Sequence, residues 1–470
     1  MWLKAMRDWI LRHPYRAILA FAFVVHVSLF FGVFGRTYFE SHGTDARQYQ
    51  TLAENFLQGR GLSMSEEAPY VPDAVRTPGY PFFLAGVKAV TGSFYPSLYL
   101  SLLLGLIVPL CGMWIMARFT DDRRWWLATG LALTLDPHLF YHSFIYGSEG
   151  TFIPSVALAL VVCIVALEKR SWRWAAAAGA MTGIAVMGRP IVQFVPFLFA
   201  ATCLAMTWKT LRRRGFQMVA ACVMAFAVVV APWLIRTYVV FGVVDYTNVG
   251  WFNMYTRVAA TAEAIHTGRS YPDMRVEYLQ RLHEKGYIEK SPVEELDVFG
   301  YEYTPVFKKE ALLALKRFPK EVALLHISAF STIVSQDQTV ILMRALGWVN
   351  TYPSFSPFVM LAQEGFVATV IATAKLFLGP WSIAIIMRVV WFLLFVLSLA
   401  APWVAWKYRR PLFPLTVFLL LFNLGIIALS LNIAAQASAR YRAQYQFVQL
   451  PLALFTLLAW PRKKKQQEVV

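Results

Sequence analysis

Apolar runs long enough to cross a bilayer alternate along this chain with clusters of arginine and lysine, and a basic cluster returns after every second run. Few folds are compatible with that pattern. In lipid a segment must satisfy its own backbone polar groups, so a run of about 20 apolar residues is a helix. Basic residues are retained on the cytoplasmic side of such helices. The clusters lie at the N-terminus (Lys4, Arg7, Arg12, Arg16), at 118–124, 169–173, 209–214 and 407–410, and at Arg462–Lys465. All six agree on one orientation, with both ends of the chain cytoplasmic.

The runs cover 17–34, 94–117, 125–144, 151–167, 174–187, 191–208, 216–235, 381–406, 412–431 and 445–460. Two more, 321–334 and 360–378, read either as a membrane hairpin or as two interfacial helices, since one crossing alone breaks the parity. The expected fold is an all-α polytopic membrane protein with a bundle of about 10–12 transmembrane helices. The first run follows basic residues, as in a signal peptide, but no small-x-small site follows Phe34, so it reads as a retained helix.

Composition supports this class. Hydrophobic residues make up 58% of the 470 and charged residues 15%, against about 45–50% and about 25% in soluble domains. The net charge of +17 would raise nucleic acid as a partner for a soluble protein, but here the cations punctuate membrane runs and none is expected. Cys111, Cys163, Cys203 and Cys222 each lie inside an apolar run, so no structural disulfide is expected. There is no Asn-x-Ser/Thr sequon, which agrees with a bacterial inner membrane.

Three regions follow: a membrane module 1–235, a largely extracytoplasmic region 236–380 and a membrane module 381–470. In the middle region, Asp245 to Lys320 carries 11 acidic and 11 basic residues, a solvated balance. Phe307 to Phe318 is amphipathic and is expected to lie on the membrane surface, with Pro319 opening a new helix.

Polar residues gather at the outer ends of the runs. They include Asp45, Asp136, His138, His142, Glu149, Arg189, Arg236 and Arg440-Tyr441-Arg442. Ionisable groups at membrane depth are costly and usually functional. A cavity with several cations and few anions there suits an anionic, membrane-embedded ligand such as a lipid phosphate. His138 and His142 have metal-ligand spacing but lack the intervening Glu of His-Glu-x-x-His, and the sequence indicates no metal or cofactor. In the first outer loop, Tyr49, Leu52, Ala53, Phe56 and Leu57 share one face of a short helix with Asp45 in its first turn. A second short helix, Phe82 to Val90, stops at Gly92.

The Asp45…Tyr49 helix ending Gly-Arg-Gly, followed by Arg76-x-Pro-Gly-Tyr-Pro, resembles the first loop of the GT-C glycosyltransferases. The nearest types are the protein O-mannosyltransferases and the lipid A aminoarabinose transferases. Gly183-Ile-Ala-Val-Met-Gly-Arg-Pro190, Ala231-Pro-Trp-Leu-Ile-Arg236 and Ala439-Arg-Tyr-Arg442 extend the resemblance in the right order. It implies a GT-C-like bundle that moves a sugar, with inversion, from a polyprenyl-phosphate donor to a hydroxyl of a lipid, glycan or protein acceptor. It implies Asp45 as general base and Arg76, Arg189, Arg440 and Arg442 as phosphate ligands. Glu149, Arg236, Trp233, Tyr441 and Tyr80 would shape the sugar and acceptor pocket. Each residue also has a structural reading: Asp45 as a helix-dipole residue, the arginines as headgroup anchors or helix-end pairs. A polymerase or ligase with a lipid-diphosphate donor would use the same arginines. A secondary transporter usually carries an internal repeat, and none stands out here.

Overall fold

The computed structural model describes residues 2–34, 44–209, 211–294, 298–336, 338–349, 360–361, 364–431 and 439–460, and they are almost entirely helical. Seven helices are long and apolar enough to cross a membrane: Pro14–Val33, Pro96–Met116, Glu149–Lys169, Pro190–Thr207, Arg212–Phe241, Ser382–Tyr408 and Arg410–Ser430. Shorter helices run between the same two ends of the bundle. These are Trp172–Gly188, Gln446–Ala459, and the pair Arg123–Leu135 and Pro137–Ser143. The four cysteines are free and buried.

The ends of the bundle are recognisable from their contacts. At one end Arg123 donates to the carbonyls of Leu11 and Arg12 (3.0 and 3.1 Å), and Arg118 meets Glu168 (3.2 Å). Trp403 packs on Trp460 at the same end. Basic clusters far apart in sequence are thereby gathered on one face.

At the other end lie two short helices, α1 (Thr44–Leu57) and α2 (Gly79–Thr91). Tyr49, Leu52 and Ala53 of α1 bury against Tyr80, Leu84 and Ala85 of α2 and against Phe140 and Phe144. Gly92 ends α2 with φ 76°, the left-handed cap that glycine adopts without a Cβ penalty. Gly79 opens it in close contact with the backbone of Met187 and Gly188.

One expectation is corrected. The run 125–144 is broken. Asp136 is extended (ψ 116°) and its carboxylate accepts from the His138 amide, capping α3 (Pro137–Ser143). A residue before proline is disfavoured in the α conformation, so the chain turns there. The amphipathic stretch near 307–318 has a face buried within the protein. As α4 (Thr304–Arg317) it buries Phe307, Ala311 and Ala314 against Phe252, Tyr255 and Tyr278 in the core of an outer helical unit.

The run 321–334 is not among the seven helices long and apolar enough to cross. It belongs to α5 (Pro319–Ser335), whose Leu325 and Ala329 pack on Val258 and Leu431. Its last turn receives the Tyr445 hydroxyl on the Ile333 carbonyl (3.0 Å), at the outer start of the final helix. The helix Phe366–Leu378, with no buried residue, packs on Ser382–Tyr408 and at 13 residues is short for a crossing.

Candidate active site

The loop between α1 and α2 holds Arg76 at a fixed angle. The Asp73 carboxylate accepts from the amides of Val75 (3.2 Å) and Arg76 (2.7 Å). The Asp73 carbonyl accepts from Arg236 (2.7 Å), and the Val75 carbonyl from the Thr247 hydroxyl (2.7 Å). Thr77 donates to Gly188 O (3.1 Å), anchoring the loop to the corner before Arg189. Burial pushes the Asp73 carboxyl up to about 6, against the pull of those two amides.

Arg76 Nη2 donates to Asp45 Oδ1 and to Gln48 Oε1, both at 2.6 Å, and its guanidinium lies over the Tyr49 ring at 5.0 Å. Arg440 stands 3.7 Å from the other Asp45 oxygen and 3.9 Å from Glu149 Oε1. Arg189 holds the same Glu149 oxygen at 2.5 Å and donates to Ser148 Oγ at 2.8 Å. The result is an alternating row, Arg76–Asp45–Arg440–Glu149–Arg189, with one more cation than anions. Burial pushes the Asp45 carboxyl up, but Arg76 and Arg440 outweigh it and hold it down at about 2.

The row lies on the wall of a cavity of about 960 Å³ at the end of the bundle where α1 and α2 lie. Asp45, Arg76, Glu149, Arg189, Arg440 and Tyr441 all line it. Arg257 and Arg275, from the outer helical unit, also line it, and Arg257 makes no ion pair among the described residues. Neither was singled out from sequence. They sit in the polar segment 245–320, where nothing local distinguishes a cavity arginine from a solvated one. Gln48 was missed as well, although it is one helical turn from Asp45.

Four expected site residues stand outside the cavity. Arg442 is fully buried: its Nε donates to the Gln336 carbonyl at 3.0 Å, Asp136 stands at 3.6 Å and the Trp391 ring at 3.7 Å, and the side chain does not line the cavity. Arg236 braces the Asp73 carbonyl and stacks over Trp233 (4.7 Å), whose indole donates to Tyr246 O (2.9 Å). Tyr80 is buried edge-on against Tyr49 at 4.9 Å. These side chains support the cavity lining from behind. Among the described residues no group of three or more His, Cys, Asp or Glu side chains is arranged to hold a metal ion.

Comparison with known proteins gives one partial sequence match and a similar fold. The sequence profile of the dolichyl-phosphate-mannose-protein mannosyltransferases matches residues 75–235. The fold is similar to that of the Archaeoglobus fulgidus oligosaccharyltransferase, solved with a tethered acceptor peptide containing the NVT sequon. That likeness has a TM-score of 0.52 at 14% identity and covers 96% of this chain and 50% of the archaeal one. The chain thus spans about half the length of that enzyme. The Mycobacterium smegmatis arabinosyltransferase EmbB aligns at a TM-score of 0.37 and 13% identity, over 94% of this chain and 41% of its own. No curated protein sequence matches the chain. The matched segment is thus similar to the mannosyltransferase profile over about a third of the chain, and the fold as a whole is similar to that of the archaeal enzyme.

Proposed function

We propose that the protein transfers a sugar from a polyprenyl-phosphate donor to an acceptor hydroxyl at the extracytoplasmic face of the inner membrane, with inversion at the anomeric carbon. Both ends of the chain are then cytoplasmic, and the acceptor is a lipid, glycan or protein. The observation that carries this reading is the alternating row of guanidinium groups and carboxylates on the cavity wall, with its excess of positive charge.

In the reaction the acceptor oxygen attacks the anomeric carbon while the bond from that carbon to the phosphate oxygen breaks. The hydroxyl proton passes to Asp45, and the lipid phosphate leaves with one more negative charge than it brought. Arg76 and Arg440, together with Arg257, face that growing charge, so they hold the transition state more tightly than the ground state. Phosphate is a good leaving group, and no acid is needed on its side.

A carboxyl held at about 2 is a weak base. The donor phosphate competes with Asp45 for Arg76 and Arg440, and drawing them away raises the basicity of Asp45 when it is needed. Glu149, held by Arg189, remains a fixed wall of the sugar pocket.

The test is sugar transfer by the purified chain from a panel of polyprenyl-phosphate sugars. Asp45→Asn is expected to lower the rate by about 10²–10⁴ while leaving thermal unfolding close to wild type. Wild-type turnover in that variant would remove Asp45 from the chemistry.

A further inference from the structure

The inner wall of the cavity carries a side chain that the transfer chemistry does not use. His142, near the C-terminal end of α3, lines the cavity at 4% exposure. Neither of its ring nitrogens has a hydrogen-bond partner among the described residues. Burying two such groups unpaired is costly, and the cost is offset when a polar ligand meets them.

The position of His142 is well fixed. Asp136 caps the start of α3, and a Cβ on Gly150 would stand 3.1 Å from the His142 carbonyl. The ends of α3 and of the Glu149–Lys169 helix are therefore in close contact. His142, Tyr146, Glu149 and Arg189 share this wall.

The chemistry of the wall suits a sugar. An uncharged imidazole offers one donor and one acceptor, and a sugar hydroxyl presents the complement of both. The Tyr146 ring adds an apolar face. The one carboxylate, Glu149, is engaged by Arg189 at 2.5 Å and faced by Arg440 at 3.9 Å. A sugar ammonium would meet two guanidinium groups and find no free anion. A sugar carboxylate would meet Glu149 and would have to compete with it for Arg189 and Arg440.

We propose that this wall is the donor-sugar specificity subsite, that the donor sugar is uncharged, and that His142 hydrogen-bonds one of its hydroxyls. The inference rests on the transfer reading above.

The experiment uses the full chain in proteoliposomes. It is given polyprenyl-phosphate donors with neutral, amino and acidic sugars, then the mono-deoxy series of the best neutral donor. Wild type is expected to prefer a neutral sugar. It should also discriminate against one mono-deoxy donor by on the order of tenfold to a hundredfold in kcat/KM, the worth of one buried hydrogen bond. His142→Phe should lose that discrimination, with the intact and deoxy donors becoming equivalent. His142→Gln keeps a donor and an acceptor and should restore part of it, and it carries the comparison if the Phe variant does not fold. A preference for a charged sugar, or the same ranking of deoxy donors in wild type and variants, overturns the inference and leaves the transfer reading standing. Absence of transfer from every donor by wild type overturns the transfer reading and the inference together.

Discussion

Asp73 sets the direction of Arg76 through two backbone amides, and its own protonation is coupled to stability. Its carboxyl is pushed up to about 6 in the folded chain, above the ordinary 3.8. The folded state therefore binds more protons than the unfolded state between those values. The resulting stabilisation is fully present below the lower value and lost as pH rises through the upper one. At about 1.4 kcal/mol per pH unit the loss approaches 3 kcal/mol. Thermal unfolding in detergent should show wild type losing stability between about pH 4 and pH 6 relative to Asp73→Asn. Parallel curves for the two proteins would contradict the assignment. Nothing in the apolar pattern singles out Asp73. The signal that was available is its spacing, an Asp three residues before Arg76, which is a turn in which the side chain accepts the following amides.

At the level of elements, α2 meets the corner before Arg189 through a close backbone approach at Gly79. A Cβ on Gly79 would fall 2.7 Å from the Met187 carbonyl and 2.8 Å from the Gly188 nitrogen. Both are backbone atoms and cannot rotate aside. Gly79→Ala should separate α2 from the Arg189 corner, costing about 1–3 kcal/mol and lowering kcat because Arg76 rides on the same loop. Gly86→Ala, in the same helix with nothing within 4 Å, should instead leave activity unchanged and stabilise slightly. Tm and kcat of the two variants check this, and equal behaviour would refute it. Both outer helices were legible because burial imposes its period on the sequence, as in Tyr49, Leu52 and Ala53. The break at Asp136 was less legible, because the apolar run continues through Pro137 into Leu139 and Phe140. The burial of α4 was not legible either: an apolar face at Phe307 and Ala311 packs equally well on lipid or on Tyr255.

For the whole molecule, the parity of the basic clusters gives a measurable arrangement. With Cys111, Cys163, Cys203 and Cys222 replaced, an impermeant maleimide should label Glu66→Cys and Lys308→Cys from the extracytoplasmic side and Arg213→Cys from the other. Labelling of all three from one side would overturn the two-faced bundle and the shared cavity. This arrangement is an expectation from sequence, where each basic cluster acts locally on the helix beside it. The interior of the cavity is not, since Arg257 reaches it only through the packing of the outer unit against the membrane helices. Arg442 and Arg440 are two residues apart, yet one is enclosed by protein and the other faces the cavity. The sequence Arg440-Tyr441-Arg442 alone does not say which.

The position of Arg440 in the row also bears on how the protein is made. A membrane chain is inserted from its N-terminus. Asp45, Arg76, Glu149 and Arg189 are therefore in place well before the ribosome reaches residue 440. At that stage Arg76 and Arg189 already match the two carboxylates, and the half-built row is electrically balanced. Only the arrival of Arg440, just ahead of the final helix, tips it cationic. A chain cut short before residue 440 would thus leave this row without its excess of positive charge.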